Sequence, residues 1–201
     1  MRTLRVLSAL LIVAAIGGMR QEVAASMAVR HMNLEDMCRR AARIFRGTVL
    51  GVTESRVSVG GTELPTLLYR IRVDEAFKGE FEDVKGERIA TMQIVGSPKA
   101  IQAGSLRLLP LLQDLPRFER GHDYLIFATA SSAVGLSTPV GQGQGAFKVF
   151  GKRGQETAVN GNNNVGLYLG MSTQSVQPAQ SVRGPLSYTA LAAQIRVIVG
   201  R

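Results

Sequence analysis

His122 and Asp123 are neighbours in the chain, and an imidazole beside a carboxylate is a pair that general acid–base catalysis often uses. The pair follows Gly121 at the entrance of a predicted strand, and no evident nucleophile accompanies it. Glycine and aspartate are also common turn formers, so this pattern favours a turn over an active site. The sequence therefore predicts no catalytic residue, and we expect the protein not to be an enzyme.

The run of glycines and glutamines at residues 141–145 has a spacing like that of loops that wrap around phosphate groups. A P-loop continues with Lys-Ser or Lys-Thr and lies between a strand and a helix, and neither feature is present. The glycines therefore indicate bends between strands.

Metal-binding patterns are equally weak. The chain has one cysteine and two histidines, too few for a structural zinc site of the usual kind. The acidic residues Glu80, Glu82, Asp83 and Glu87 lack the spacing of a calcium-binding EF-hand, so they predict a solvated loop. We expect no metal and no cofactor.

Cys38 is the single thiol, and its surroundings predict a helix. Asn33 is a suitable N-cap residue. Apolar residues then recur at helical spacing, which places one stripe on the buried face. The stripe consists of Leu34, Met37, Cys38, Ala41 and Ala42. Cys38 is thus expected to be a small buried hydrophobe, although a reactive thiol or an intermolecular disulfide is the alternative.

The first 25 residues have the three parts of a secretory signal. Arg2 and Arg5 precede an apolar run at 6–16, and small residues follow up to Ala25, with a second acceptable cleavage site after Ala28. The apolar run is well short of the roughly 20 residues that a membrane-spanning helix needs. We therefore expect a secreted or periplasmic protein that has no membrane span once the signal is cleaved.

The net charge limits the partners of such a protein. The full chain of 201 residues has 24 basic and 15 acidic side chains. Three of these basic side chains and one of these acidic side chains lie in the signal. The mature chain is therefore basic. A basic exported protein encounters lipid headgroups, polysaccharide or acidic proteins, although the same charge also serves solubility alone.

From residue 44 onward the sequence is typical of β structure. Leu67, Tyr69, Ile71 and Val73 alternate with a polar set that contains Arg70 and Arg72, which predicts a half-buried strand with a basic outer face. Further strands are predicted at 44–59, 88–95, 123–129, 146–150, 157–160 and 165–169, the last two forming a hairpin.

Turn and cap signals connect these strands. Gly47 and Gly51 indicate bends inside the first strand, and Gly60-Gly61 predicts a tight hairpin. At the other end, apolar residues at helical spacing between Ser187 and Gly200 predict a last helix. The fold class is therefore mainly β, a small antiparallel barrel or sandwich with an N-terminal and a C-terminal helix.

Three segments carry a resemblance to a known family. They are residues 44–49, residues 69–79, which end in Phe77-Lys78-Gly79, and residues 121–127, which read Gly-x-x-Tyr-Leu-x-Phe. In this order, over roughly residues 34–150, the chain resembles the netrin-like module shared by the tissue inhibitors of metalloproteinases. It looks more closely like bacterial secreted proteins that carry this module. The resemblance implies an OB-type, five-stranded barrel with helices packed on it.

The departures from that family concern its mechanism. The metalloproteinase inhibitors use a cysteine at the mature N-terminus, whose amine and carbonyl chelate the zinc of the protease. Here the expected start is Ser26 or Val29, and Cys38 lies further along the chain. The family disulfides are also absent, so the resemblance implies the scaffold and not zinc chelation.

These patterns divide the chain into a signal peptide at 1–25, a barrel domain at 26–170, and a linker with a C-terminal helix at 171–201. The expected function is non-catalytic binding of a protein, such as an exported protease or an envelope component. The alternatives are an enzyme whose site is assembled from several loops, and a binder of anionic surfaces or polysaccharide. Nucleic acid is disfavoured, because no outward aromatic side chain is predicted for base stacking.

Loops held at one end of a rigid barrel are the usual place for recognition. Loops 60–65 and 96–116 are the candidates, and the leucines of the second either contact a partner or cap the barrel core. The candidate binding residues are Leu108, Leu109, Leu111, Leu112, Arg70 and Arg72.

Overall fold

The computed structural model describes residues 30–96, 116–172 and 183–200. The predicted signal peptide lies outside the described residues, and so do Leu108, Leu109, Leu111 and Leu112.

Eight strands form one antiparallel sheet, and a helix lies at each end of the described chain. The helices are α1 (Leu34–Arg40) and α2 (Tyr188–Val199). The strands are β1 (Arg43–Val59), β2 (Thr62–Lys78), β3 (Glu82–Val84), β4 (Glu87–Val95), β5 (Asp123–Ala128), β6 (Ala146–Phe150), β7 (Thr157–Asn160) and β8 (Leu186–Ser187). Their order across the sheet is β3-β4-β2-β1-β5-β6-β7-β8. The mainly-β prediction with two flanking helices is confirmed.

The β1–β2 hairpin is the longest unit of the sheet. Gly60 and Gly61 form its turn with φ of 57° and 80°, which glycine adopts at little cost. The pairing register shifts at Gly47 and again at Gly51, as the glycines predict. The alternation along β2 is confirmed as well, because Leu67, Tyr69, Ile71 and Val73 are all buried.

The sheet curls, but β4 and β5 do not pair with each other to close it into a barrel. Isolated bridges join Gln93 of β4 to Leu136, and Ala128 of β5 to Pro139. The short segment 136–139 therefore lies between the two strands, and the sheet is barrel-like rather than a closed barrel. Its interior holds a buried core, including Phe45, Tyr69, Ile71, Met92 and Ile126.

The opposite face of the sheet packs against both helices and forms a second core. This core includes Leu34, Met37, Leu125, Phe147, Leu191 and Ile195. Asn33 accepts a hydrogen bond from the Asp36 amide at 2.8 Å, and Ser187 caps α2 in the same way, so both predicted N-caps are confirmed. Glu75 of β2 further ties α2 to the sheet, because it accepts from the Tyr188 hydroxyl and pairs with Arg196.

Two local predictions are wrong. Residues 165–169 are not a strand but part of a series of turns, because Asn163, Asn164 and Gly166 adopt positive φ and break the extended backbone. The acidic segment after β2 is not wholly a loop. Glu82 and Asp83 lie in β3, which pairs with β4, while these two acidic side chains stay exposed.

Cys38 is 3 % exposed, and burial raises the pKa of its thiol to about 12. Little thiolate therefore exists at about pH 8, and the thiolate is the reactive form. We expect maleimide to label the native protein slowly and the urea-unfolded protein quickly. Cys38→Ala is expected to fold with a loss of about 1 kcal/mol in the free energy of unfolding. Equal labelling rates for the native and unfolded protein would contradict this burial.

Candidate binding site

A cleft of about 650 Å³ lies over one face of strands β5, β6 and β7. Tyr124 lies opposite Lys148 in the register of β5 and β6, and Lys148 lies opposite Val159 of β7. Opposing residues share a face of a sheet, so these three side chains form one row along the floor of the cleft. The neighbouring residues Leu125, Phe147 and Ala158 point to the other face and belong to the helix-packed core.

One wall of the cleft is formed by residues 116–118, which lead into β5. Phe118 is held there by edge-to-face contacts with Tyr69 and Tyr124, at ring-centroid distances of 5.2 and 4.9 Å. The Tyr124 hydroxyl also accepts a hydrogen bond from the Glu119 amide at 3.1 Å. The contacts of Phe118 with two tyrosines of the barrel core therefore hold this wall in place.

The other wall consists of the glycine-rich run at 141–145 and the turn at 160–162. The run contains a short 3₁₀ helix, Gln142–Gly145, and it begins with two left-handed residues, Gly141 and Gln142. Gly161 donates its amide to the Gly143 carbonyl at 2.9 Å, and a Cβ at Gly161 would lie 3.1 Å from the Gly143 Cα. Glycine therefore permits the close approach of the two loops, and the prediction of bends rather than a P-loop is confirmed.

Buried asparagines fix the second loop. The Asn160 side chain donates to the Gln144 carbonyl at 3.0 Å and accepts from the amides of Asn162 and Asn164. Asn164 is fully buried, and its side chain donates to the carbonyls of Ala158 and Gly184 at 2.9 and 2.8 Å. These bonds hold the loop rigidly and leave the exposed Asn162 at the edge of the cleft.

The lining is mixed in polarity, and no acidic residue is among the residues described as lining the cleft. Its basic side chains are those of Arg117 and Lys148. Lys148 pairs with Glu119 at 2.9 Å, and Glu119 also lies 3.4 Å from His122. The hydrogen bond between Lys148 and Glu119 raises the pKa of the ammonium and lowers the pKa of the carboxyl. Both groups are therefore charged at neutral pH.

A second, smaller hollow of about 430 Å³ lies beside Arg46 on the outer face of the sheet. Arg46 pairs with Asp123 at 3.0 Å and with Glu156 at 3.4 Å. The Thr48 hydroxyl lies 2.8 Å from Asp123 and 2.9 Å from Asp74. The acidic groups of this hollow are thus bonded to neighbouring side chains, and we interpret it as a structural ion cluster.

The structure separates several residues that the sequence places together. His122 contacts Glu119, whereas Asp123 belongs to the Arg46 cluster, so the two do not form a catalytic pair. Arg70 is exposed on β2, while Arg72 is bound to Asp74 at 3.0 Å and to Thr48 at 3.3 Å. The basic outer face is therefore partly neutralised.

His31 lies near the start of the described residues. Its ring is exposed, but Nε2 lies 2.9 Å from the Gly166 carbonyl oxygen. The adjacent Met32 amide donates to the Gln144 side chain at 2.9 Å. The N-terminal part of the described chain is thus attached to the wall of the cleft.

Three residues of the cleft are not among the binding residues that the sequence predicts, namely Lys148, Gln142 and Asn162. Lys148 stands between Phe147 and Val149 in a predicted strand, and this alternation does indicate an outward side chain. Nothing in the sequence shows that β6 lies between β5 and β7, and this position is what places Lys148 beside the loops.

Among the described residues, no group of three or more histidine, cysteine, aspartate or glutamate side chains is arranged to hold a metal ion. No helix in residues 30–96, 116–172 and 183–200 combines the length and apolar character needed to cross a membrane.

A search against family models and a search among curated proteins each find no match to this chain.

Proposed function

We propose that this chain is a non-catalytic binding module that works outside the cytoplasm and recognises another protein. Its binding site is the cleft over β5–β7, and its ligand is an extended acidic segment of the partner. The observation that carries this proposal is the lining, which combines two basic side chains with neutral amides and glycine backbone.

The chemistry of the lining suits a peptide. Gln142 and Asn162 offer both donors and acceptors, which match the alternating N–H and C=O groups of a polypeptide. Arg117 and Lys148 offer positive charge to carboxylates, and Lys148 exchanges Glu119 for a carboxylate of the ligand. The volume of the cleft falls within the range of about 300–1,000 Å³ that is typical of ligand sites.

Stacking ligands fit less well. Phe118 and Tyr124 are the aromatic residues of the lining, and they are only 5 % and 6 % exposed. Their faces are occupied by each other and by Tyr69, so they offer no platform to a base or a sugar ring. This favours an acidic peptide over nucleic acid or an acidic polysaccharide.

We expect Lys148→Glu to weaken the binding of a fluorescein-labelled, glutamate-rich peptide by about tenfold or more, because a cation on the floor of the cleft becomes a repelling anion. Fluorescence polarisation at low and high salt measures this effect. Arg70→Glu is the matched control: it changes the charge equally on an exposed strand residue that does not line the cleft.

Equal losses in the two variants would mean that net charge alone attracts the peptide, which contradicts the proposal. Polygalacturonate that competes with a Kd below that of the peptide would make the cleft a polysaccharide site instead. Co-purification from the native envelope or medium, with wild type and Lys148→Glu in parallel, then identifies the partner that depends on the cleft.

A further inference from the structure

Strand β1 has an edge that is only half covered. From Ile44 to Val59 it pairs with β2 on one side, with a register shift at Gly51. On the other side β5 pairs with it only from Arg43 to Thr48, and Val49 then bonds to the backbone of Gly121 and His122. Among the described residues, no strand pairs with this edge between Val52 and Val59.

An uncovered edge presents backbone N–H and C=O groups that another strand can bind. Natural proteins protect such edges with proline, bulges or charged side chains, lysine above all. The charged residues here, Glu54 and Arg56, have opposite signs and can pair with a second strand. Residues 52–59 read Val-Thr-Glu-Ser-Arg-Val-Ser-Val and contain neither proline nor lysine, and the register beyond Gly51 is regular. Val52 and Val59 are 46 % and 41 % exposed. This stretch therefore has the β-branched content of a strand that is paired on both sides.

We propose that two copies of this chain pair through the 52–58 edge, antiparallel, about a two-fold axis at Ser55. The sequence is self-complementary in this register. Glu54 of one copy lies opposite Arg56 of the other, and the symmetry forms this ion pair twice. A two-fold interface requires such a surface that is complementary to itself.

The charges select this register and no neighbouring one. Glu54 and Arg56 form no ion pair with another described residue, so both are available to a second copy. A slip by one residue would set Glu54 opposite Val57 and Ser55 opposite Arg56, and both ion pairs would be lost. Opposite charges on directly opposed residues stabilise antiparallel strands, and like charges destabilise them.

The dimer is expected to be weak. A strand edge of this length spans about 20 Å and buries less surface than the roughly 1,200 Å² of a stable interface. Sedimentation velocity should therefore show a monomer–dimer equilibrium that depends on protein concentration and weakens with salt.

Charge exchange tests the register directly. Glu54→Arg sets arginines opposite each other, and Arg56→Glu sets glutamates opposite each other, so each variant alone should be monomeric. An equimolar mixture of the two should form a heterodimer, because each Arg then faces a Glu. The double variant Glu54→Arg/Arg56→Glu should dimerise like wild type. The Lys148→Glu substitution changes a residue of β6, away from this edge, and should leave the dimer unchanged.

The proposal is overturned by a wild type that stays monomeric at high concentration, by single variants that dimerise as well as wild type, or by a mixture that fails to associate. Hydrogen exchange of the amides within residues 52–58 that point away from β2 adds a second readout, because the amides that face β2 are protected in the monomer as well. Protection that rises with concentration supports the dimer. Protection that is independent of concentration shows that the chain covers its own edge, and this also overturns the proposal.

Discussion

Gly47→Ala should lower the free energy of unfolding by about 3 kcal/mol, which is a large effect for one added methyl group. A Cβ at Gly47 would lie 2.2 Å from the Arg72 carbonyl oxygen and 2.8 Å from the Ile71 Cγ2 atom. The nearest atom belongs to the backbone of the paired strand and cannot rotate away. β1 and β2 would therefore have to separate at the point where the register shifts.

Gly51→Ala is the matched control for this prediction. Gly51 lies in the same strand and at a second register shift, but a Cβ there meets nothing within 4 Å. We expect a change within about 0.5 kcal/mol, as for an ordinary surface substitution. Urea denaturation of both variants measures the difference, and equal midpoints would show that the close approach at Gly47 does not limit stability.

Asn164→Gly should lower the free energy of unfolding by about 3 kcal/mol. The substitution removes the side chain but keeps a residue that tolerates the left-handed φ of 58°. The carbonyls of Ala158 and Gly184 lose a donor, and the Asn160 amide loses its acceptor. Each buried group without a partner costs about 1–3 kcal/mol, and partial access of water offsets part of the sum.

Asn163→Gly separates this effect from backbone flexibility. Asn163 is adjacent, adopts a φ of 53°, and is exposed. Its backbone bonds with Asn160 and Gly184 are retained in a glycine variant. We expect thermal unfolding of Asn163→Gly close to that of wild type. If the two variants lose equal stability, the buried side-chain bonds of Asn164 are not what fixes the loop.

The Asn164 bonds also link stability to the candidate site. Asn164 and Asn160 hold the turn that forms one wall of the cleft. A variant that loosens this turn should bind the acidic peptide more weakly even at temperatures where the protein stays folded. Lys148→Glu, in contrast, removes an exposed ion pair with Glu119, so it should alter the melting temperature much less than Asn164→Gly while it weakens binding.

Local structure was predictable wherever the information was local. The N-caps Asn33 and Ser187 act on amides three residues away, so the helix starts follow from nearest neighbours. The alternation of Leu67, Tyr69, Ile71 and Val73 defines a strand with one buried face, whatever its neighbours in the sheet. The burial of Cys38 likewise follows from the apolar stripe of its own helix.

The tertiary structure alone decided which distant residues meet. Asn160 and Asn164 look like ordinary turn formers in the sequence, yet their buried side chains donate to the distant carbonyls of Gln144 and Gly184. Lys148 lies in the cleft because β6 pairs with both β5 and β7, and Glu75 secures α2 from a strand far earlier in the chain. Such contacts depend on the order of strands in the sheet. That order is set by the packing of whole elements, and periodicity within one segment carries no information about it.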